Sequence, residues 1–284
     1  MMDKRVPPLE QLRRRIAGEV VSLFNDRSRG EAPVIRRPAE SWFGPDSVTW
    51  GVHGDVTAMM VGGVASLLLQ MLHPKVLAGV WDHSNFRADM HGRLRRTARF
   101  IATTTYAAES DAQAAIARVR AIHAKVSGTL PDGTPYVADD PRLLAWVHVT
   151  ETWSFLAASL RYGRKRLSAA EQDRYFAEMA RVGHALGADP VPTDRRGAEA
   201  LIATMRPELR VDERTREVSR LVLEQRPKNP LAQPAQALVM QAGVDLLPGW
   251  ARSMQGLGGG TTLGAPLVRA GTLGVARTLR WAFG

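Results

Sequence analysis

The stretch Asp140 to Gly163 constrains this chain more than any other. Its sequence, DPRLLAWVHVTETWSFLAASLRYG, opens with Asp-Pro and closes with Gly. Asp can cap orphan backbone N–H groups at a helix start, and Pro suits the first helical position. Gly suits the end. The spacing predicts a helix over 141–162 whose apolar residues are not confined to one face. A helix apolar nearly all round must be enclosed by other elements. A second stretch makes the same demand. VTAMMVGGVASLLLQML, 56–72, has no charged residue, and Asp55 can cap it. It is short for a membrane span and is broken by Gly62-Gly63, so we read it as a buried core helix.

Helical punctuation continues along the chain. Leu9, Leu12, Ile16, Val20 and Leu23 share one face of a helix over 9–25. His73-Pro74 breaks the helix before it, and a shorter helix, 75–82, follows. Residues 84–92 read as a loop and 93–108 as a helix. Ser110 and Gln113 have capping-box spacing for the next helix, which Gly128 would end. PDGTPYVADD, 131–140, is turn chemistry. Ser168 with Glu171 forms a second capping box, and Gly187 suits a C-terminal cap. Helices are also expected over 194–205, 212–225, 235–246 and 248–257. No alternating pattern reaches strand length. The chain therefore reads as all-α, one multi-helix domain, since helices that bury one face must pack on one another. Its parts are an N-terminal helix and loop at 1–45, the main domain at 46–250, and a Gly-rich segment with a basic amphipathic helix at 251–284.

Cysteine is absent. That excludes disulfides, thiolate zinc sites, iron–sulfur clusters, Cys nucleophiles and covalently attached c-type haem. Lys and Arg number 38 against 28 Asp and Glu, a net charge of +10. The Arg residues are spread over many helices without an interleaved aromatic stripe, so no nucleic-acid partner is expected. The segment 267–283 carries Arg269, Arg277 and Arg280 beside Leu279, Trp281 and Phe283. It suits either peripheral membrane contact or packing on its own domain. The N-terminal segment has no apolar signal-type run, so a cytoplasmic location is expected, with membrane association through 267–283.

His148 is the sharpest candidate for chemistry. It lies inside the 141–162 helix and shares a face with Leu144, Glu151 and Thr152. Such a His either ligates a cofactor iron or is a core residue bonded to a carbonyl. Arg93, Arg96 and Thr97 project from one side of their helix, and several Arg at a helix start suggest a nearby anion. His73, His83 and His91 form a weaker group. Their gaps of ten and eight residues match no helical metal pair. No GxSxG elbow, phosphate-binding loop or strand-linked GxGxxG is present.

These segments together resemble a known family. LHPKVLAGVWDHSNFRADMHGRLRRT (72–97), VRAIHAKVSG (119–128), YVADDPRLLAWVH (136–148) and the block 161–188 occur in the order of the DUF2236 family. That family includes the fungal MpaB oxygenase and the bacterial latex-clearing rubber oxygenases. The resemblance covers about residues 45–250. It implies a globin-like helical core around a buried haem b pocket, with His148 as the iron's proximal ligand. Arg93 and Thr97 would lie on the opposite side, where Arg93 and Arg96 hold propionates or stabilise bound oxygen and Thr97 positions it. The latex-clearing branch carries a Lys where this chain has Arg96, and arginine is a poor iron ligand. Asp82 and Asp89 are the acids nearest to Arg93 on its upstream side. Met59, Met60, Leu68 and Phe100 would line an apolar path. The implied activity is a haem-dependent oxygenase that uses O2 on a small apolar, unsaturated, isoprenoid- or lipid-like substrate. The alternative is a helical protein that binds haem or lipid without turnover.

Overall fold

The computed structural model describes residues 7–24, 34–227, 229–259 and 264–283. Its centre is the pair predicted above, α3 (Val56–Gln70) and α7 (Pro141–Tyr162), which form the most extensive helix–helix contact in the fold. Close approach needs a residue without a side chain. At Gly62 a Cβ would lie 2.7 Å from the Phe155 ring and 3.1 Å from the Ser154 carbonyl oxygen. Trp146 seals the other end of the pair, donating from Nε1 to the Gln70 carbonyl at 3.3 Å. Both helices start as expected. Asp55 accepts from the Ala58 amide, and Asp140 from the amides of Arg142 and Leu143.

Around this pair lie α2 (Val48–His53), α8 (Ala169–Leu186) and α9 (Arg195–Met205) on one side and α11 (Gln233–Leu246) and α13 (Gly264–Phe283) on another. α4 (Pro74–His83) follows α3 through the His73-Pro74 break, and α5 (Met90–Tyr106) packs on α6 (Glu109–His123). α1 (Pro8–Phe24), α10 (Glu213–Leu223) and α12 (Gly249–Met254) complete the thirteen helices of the described residues. The Ser168–Glu171 capping box forms at the start of α8, and Gly187 ends it in the left-handed region at φ 93°. The core is one continuous apolar cluster running through α2, α3, α7, α8 and α11. The fold class is all-α.

Three local expectations are corrected. The helix after His83 begins at Met90, not Arg93, because Asp89 caps it by accepting from the Gly92 amide at 2.8 Å. The Ser110–Gln113 box does not form. The Glu109 amide is tied to the Glu40 carbonyl at 2.8 Å, so α6 starts two residues earlier, with Ala108 at the cap, and Gln113 donates to the Glu109 carboxylate instead. Gly128 ends no helix. It lies in β1 (Ser127–Thr129), opposite Tyr136 of the antiparallel β2 (Pro135–Val137), and a Cβ there would meet the Tyr136 ring. The expected loop over 25–45 and the Gly-rich stretch after Gly256 lie partly outside the described residues. No single described helix is long and apolar enough to cross a membrane; α3 and α4 meet that test only as a pair, bent by 104°.

Candidate active site

α7 presents His148 and Glu151 one turn apart, so both side chains leave the same face. His148 is buried, and its imidazole makes no hydrogen bond among the described residues. The ring rests on Gly183 of α8, where a Cβ would stand 2.9 Å from Nε2 and 2.9 Å from Val191. The missing side chain at Gly183 is therefore the cradle for this ring. Burial, then the neighbouring His184, pulls the His148 pKa down to about 4. The imidazole is neutral at physiological pH, with a lone pair available.

Glu151 is set in the same way. It is densely surrounded yet keeps some accessible surface, and no hydrogen bond to it occurs among the described residues. Burial alone pushes its pKa up to about 7. Arg93 on α5 has the same combination of dense surroundings and residual access. Its guanidinium has no carboxylate partner among the described residues, and burial followed by the Arg96 charge lowers its pKa to about 10. A recessed ionisable group without a partner costs folding free energy, which points to a partner that comes from outside the chain.

Deeper in the core lies a polar chain linking α5, α2 and α8. Thr105 donates to the Ile101 carbonyl at 2.7 Å, so its oxygen accepts from His53 Nδ1 at 2.8 Å. His53 therefore carries its proton on Nδ1, and Nε2 accepts from the Tyr175 hydroxyl at 2.9 Å. Burial lowers the His53 pKa to about 3, fixing the neutral ring. The Tyr175 phenol is raised well above its ordinary value by burial, then by the charge of Glu151. Glu178 anchors the same region, accepting from the amides of Val48 and Thr49 and from the Thr49 hydroxyl.

The other candidates fall out as follows. Arg96 and Thr97 are exposed; Arg96 pairs with Asp89 at 3.5 Å, and Thr97 donates to the Arg93 carbonyl. None of Arg93, Arg96 and Thr97 shares a hydrogen bond or ion pair with α7 among the described residues. Asp89 is the α5 cap, and Asp82 accepts from the Tyr136 hydroxyl at 2.7 Å, so both acids are committed to structure. His73 is buried 3.6 Å from Glu208, His83 meets the Ser127 carbonyl, and His91 meets the Arg226 carbonyl. These three histidines face different partners. No cluster of three metal-ligating side chains exists among the described residues. Met59, Met60 and Phe100 are half-buried, whereas Leu68 is fully in the core. The open groove along α10 and the turn after α12 is lined by Thr215, Ser219 and Gln255, and its arginines, Arg216 and Arg220, are exposed.

Sequence reasoning assigned no role to Glu151 and did not find the His53–Tyr175 pair. The signal for Glu151 was its position three residues after His148 on an apolar helix. His53 and Tyr175 are 122 residues apart, and nothing local announces their contact.

The neutral, cradled imidazole and the recessed ionisable groups without internal partners among the described residues set this all-α domain apart from a purely structural helical bundle. The family follows from comparison. The model of the ER-bound oxygenase mpaB/B′ and rubber oxygenase catalytic domain matches residues 50–281, and this chain belongs to that family. The match spans α3, α5, α7 and α8 and continues through most of α13. No curated protein and no solved structure matches.

Proposed function

We propose that this oxygenase-family chain is haem b-dependent, with His148 as axial ligand, and that it acts with O2 on an apolar unsaturated substrate of isoprenoid or lipid type. The observation that carries the reading is the His148 imidazole: buried, neutral, cradled by Gly183 and without a hydrogen bond among the described residues. A neutral imidazole with an unused nitrogen is what an iron ligand requires. The donor set fits the group. Arg93 adds a recessed cation without an internal carboxylate, suited to a propionate.

When bound, the haem would supply the iron chemistry that activates O2. The chain's own residues do the rest. Gly183, by lacking a side chain, leaves the place in which the His148 ring rests. Arg93 offers a recessed cation on α5 to an anionic group such as a propionate. Glu151, whose pKa is close to neutrality, can take up or release a proton at its carboxyl within one pH unit of 7. Met59, Met60 and Phe100 offer half-buried apolar surface to a hydrocarbon. Arg96 and Thr97 complete the α5 side in this reading. A cytoplasmic location belongs to the same proposal.

The test is absorption spectroscopy of the purified chain, with and without added haem, for wild type and His148→Ala. A Soret band at about one haem per chain that shifts or disappears in His148→Ala supports the assignment. No Soret band after haem addition overturns it. Oxygen uptake with an unsaturated isoprenoid then separates an oxygenase from a protein that binds haem without turnover.

A further inference from the structure

We propose that the face formed by α1, the outward stripe of α13 and the loop 163–166 docks on an anionic membrane surface. Large apolar side chains that face solvent are concentrated there. Leu9 and Leu12 on α1 are 65% and 49% exposed, and Leu267, Trp281 and Phe283 on α13 are 75%, 40% and 45% exposed. Leu160, in the last turn of α7 just before the loop, is 46% exposed. The remaining exposed large hydrophobics are scattered over α6, β2, α12 and loops.

The three elements are physically joined. α1 packs on α13, and Arg13 Nε donates to the Ala282 carbonyl at 3.4 Å. That joins α1, which carries Leu9 and Leu12, to the C-terminal turn of α13, where Trp281 ends the outward stripe. Arg280 reaches from α13 to Asp55 at 2.7 Å and also donates to the Tyr162 carbonyl. The loop 163–166 leaves α7 at that point. On α13 the exposed positions Leu267, Ala270, Gly274, Arg277 and Trp281 recur at steps of three and four. They form one straight stripe about 21 Å long, from the rise per residue of an α-helix. Small residues in its middle leave the stripe flat, with apolar anchors at both ends.

Charge selects the partner. α13 has three Arg and no acidic residue. Arg280 is paired with Asp55, and Arg269 shares Asp245 with Arg161 and Arg252, whereas Arg277 is exposed with no ion pair among the described residues. Arg15, Arg164 and Arg166 are likewise exposed and unpaired. Apolar and aromatic anchors ringed by unpaired arginines match the interface of an anionic bilayer, where hydrocarbon lies beneath phosphate. A protein partner would meet the same apolar groups, but the unpaired cations on all three elements favour a surface that is anionic throughout. For an enzyme with a lipid-like substrate, this face would hold the molecule where such a substrate dissolves. The inference itself does not depend on haem.

The experiment is co-sedimentation of the full chain with vesicles of phosphatidylcholine alone or mixed with phosphatidylglycerol, at low and high salt. We expect binding to the mixed vesicles, weakened by salt. Trp281→Ser with Phe283→Ser should weaken it about tenfold or more, from the apolar area withdrawn. Arg164→Ala with Arg166→Ala should weaken it at least fivefold and flatten the salt dependence, near the rule for each basic residue at such a surface. All four side chains are exposed, so circular dichroism should show the variants folded. Failure of the wild type to bind mixed vesicles, or equal binding by the folded variants, overturns the proposal. Concentration-dependent self-association abolished by Trp281→Ser, without vesicle binding, overturns it in favour of a second copy. Haem binding by a chain that ignores vesicles would leave the oxygenase reading intact, and the converse result would leave this one intact.

Discussion

The recessed Glu151 should show itself in the pH dependence of stability. Its folded-state pKa is pushed up to about 7 from an ordinary 4.5. A raised pKa means that the folded chain holds a proton which the unfolded chain has already released. The resulting stability is fully present below pH about 4.5 and is lost as pH rises through about 7. Between pH 5 and pH 8 the linkage relation gives a loss of about 2–3 kcal/mol from this one group, and about 2 kcal/mol after allowance for its residual solvent contact. Glu151→Gln keeps the shape but carries no titrating proton. Its stability relative to wild type should therefore rise by about 2 kcal/mol from pH 5 to pH 8. His53 and His148 push the other way, because their lowered pKa values destabilise the fold as pH falls below about 6.5. They are present in both proteins and cancel in the comparison. Urea unfolding of both proteins at the two pH values is the assay. Parallel pH profiles would refute a recessed Glu151 and remove it as a proton-handling group.

Three further outcomes follow from the packing. Gly62→Ala should destabilise the fold by about 1–2 kcal/mol, since its Cβ meets fixed backbone of α7. Gly63→Ala, whose nearest contact is 4.0 Å away, should instead stabilise it by about 0.5–1 kcal/mol through helix propensity. Thermal unfolding of both variants reads the opposite signs, and equal shifts would sink the account of the α3–α7 contact. Tyr175→Phe leaves His53 Nε2 buried without its donor and should cost about 1–3 kcal/mol in urea unfolding. A neutral result there would show that water replaces the hydroxyl. Asp55→Asn keeps the α3 cap but removes the charge that holds Arg280, so hydrogen exchange in the C-terminal turns of α13 should quicken about tenfold or more. Unchanged exchange would mean that packing alone holds the helix.

The parts that were legible in the sequence are those whose physics is local. α7 begins and ends as expected because Asp140, Pro141 and Gly163 each act on backbone groups within one turn. The same holds for Asp55 and for Ser168 with Glu171. Where a local signal failed, a distant contact outweighed it. The Ser110 box lost to the bond between Glu109 and Glu40, and Gly128 was claimed by the Tyr136 ring across a hairpin whose strands are three residues long. The candidate site divides in the same manner. His148 was visible because a polar residue on an apolar helix is conspicuous by itself. A glutamate on that helix reads as a solvated face until the neighbouring helices are in place, and only the assembled fold, with Tyr175 of α8 within electrostatic reach, turns Glu151 into a recessed acid. His53 and Tyr175 are ordinary residues in their own segments, and their meaning is the hydrogen bond between them. The structure thus moves the search for a proton-handling carboxylate away from Asp82 and Asp89, both engaged in structure, to Glu151. That residue stands one turn from the proposed ligand and keeps some accessible surface.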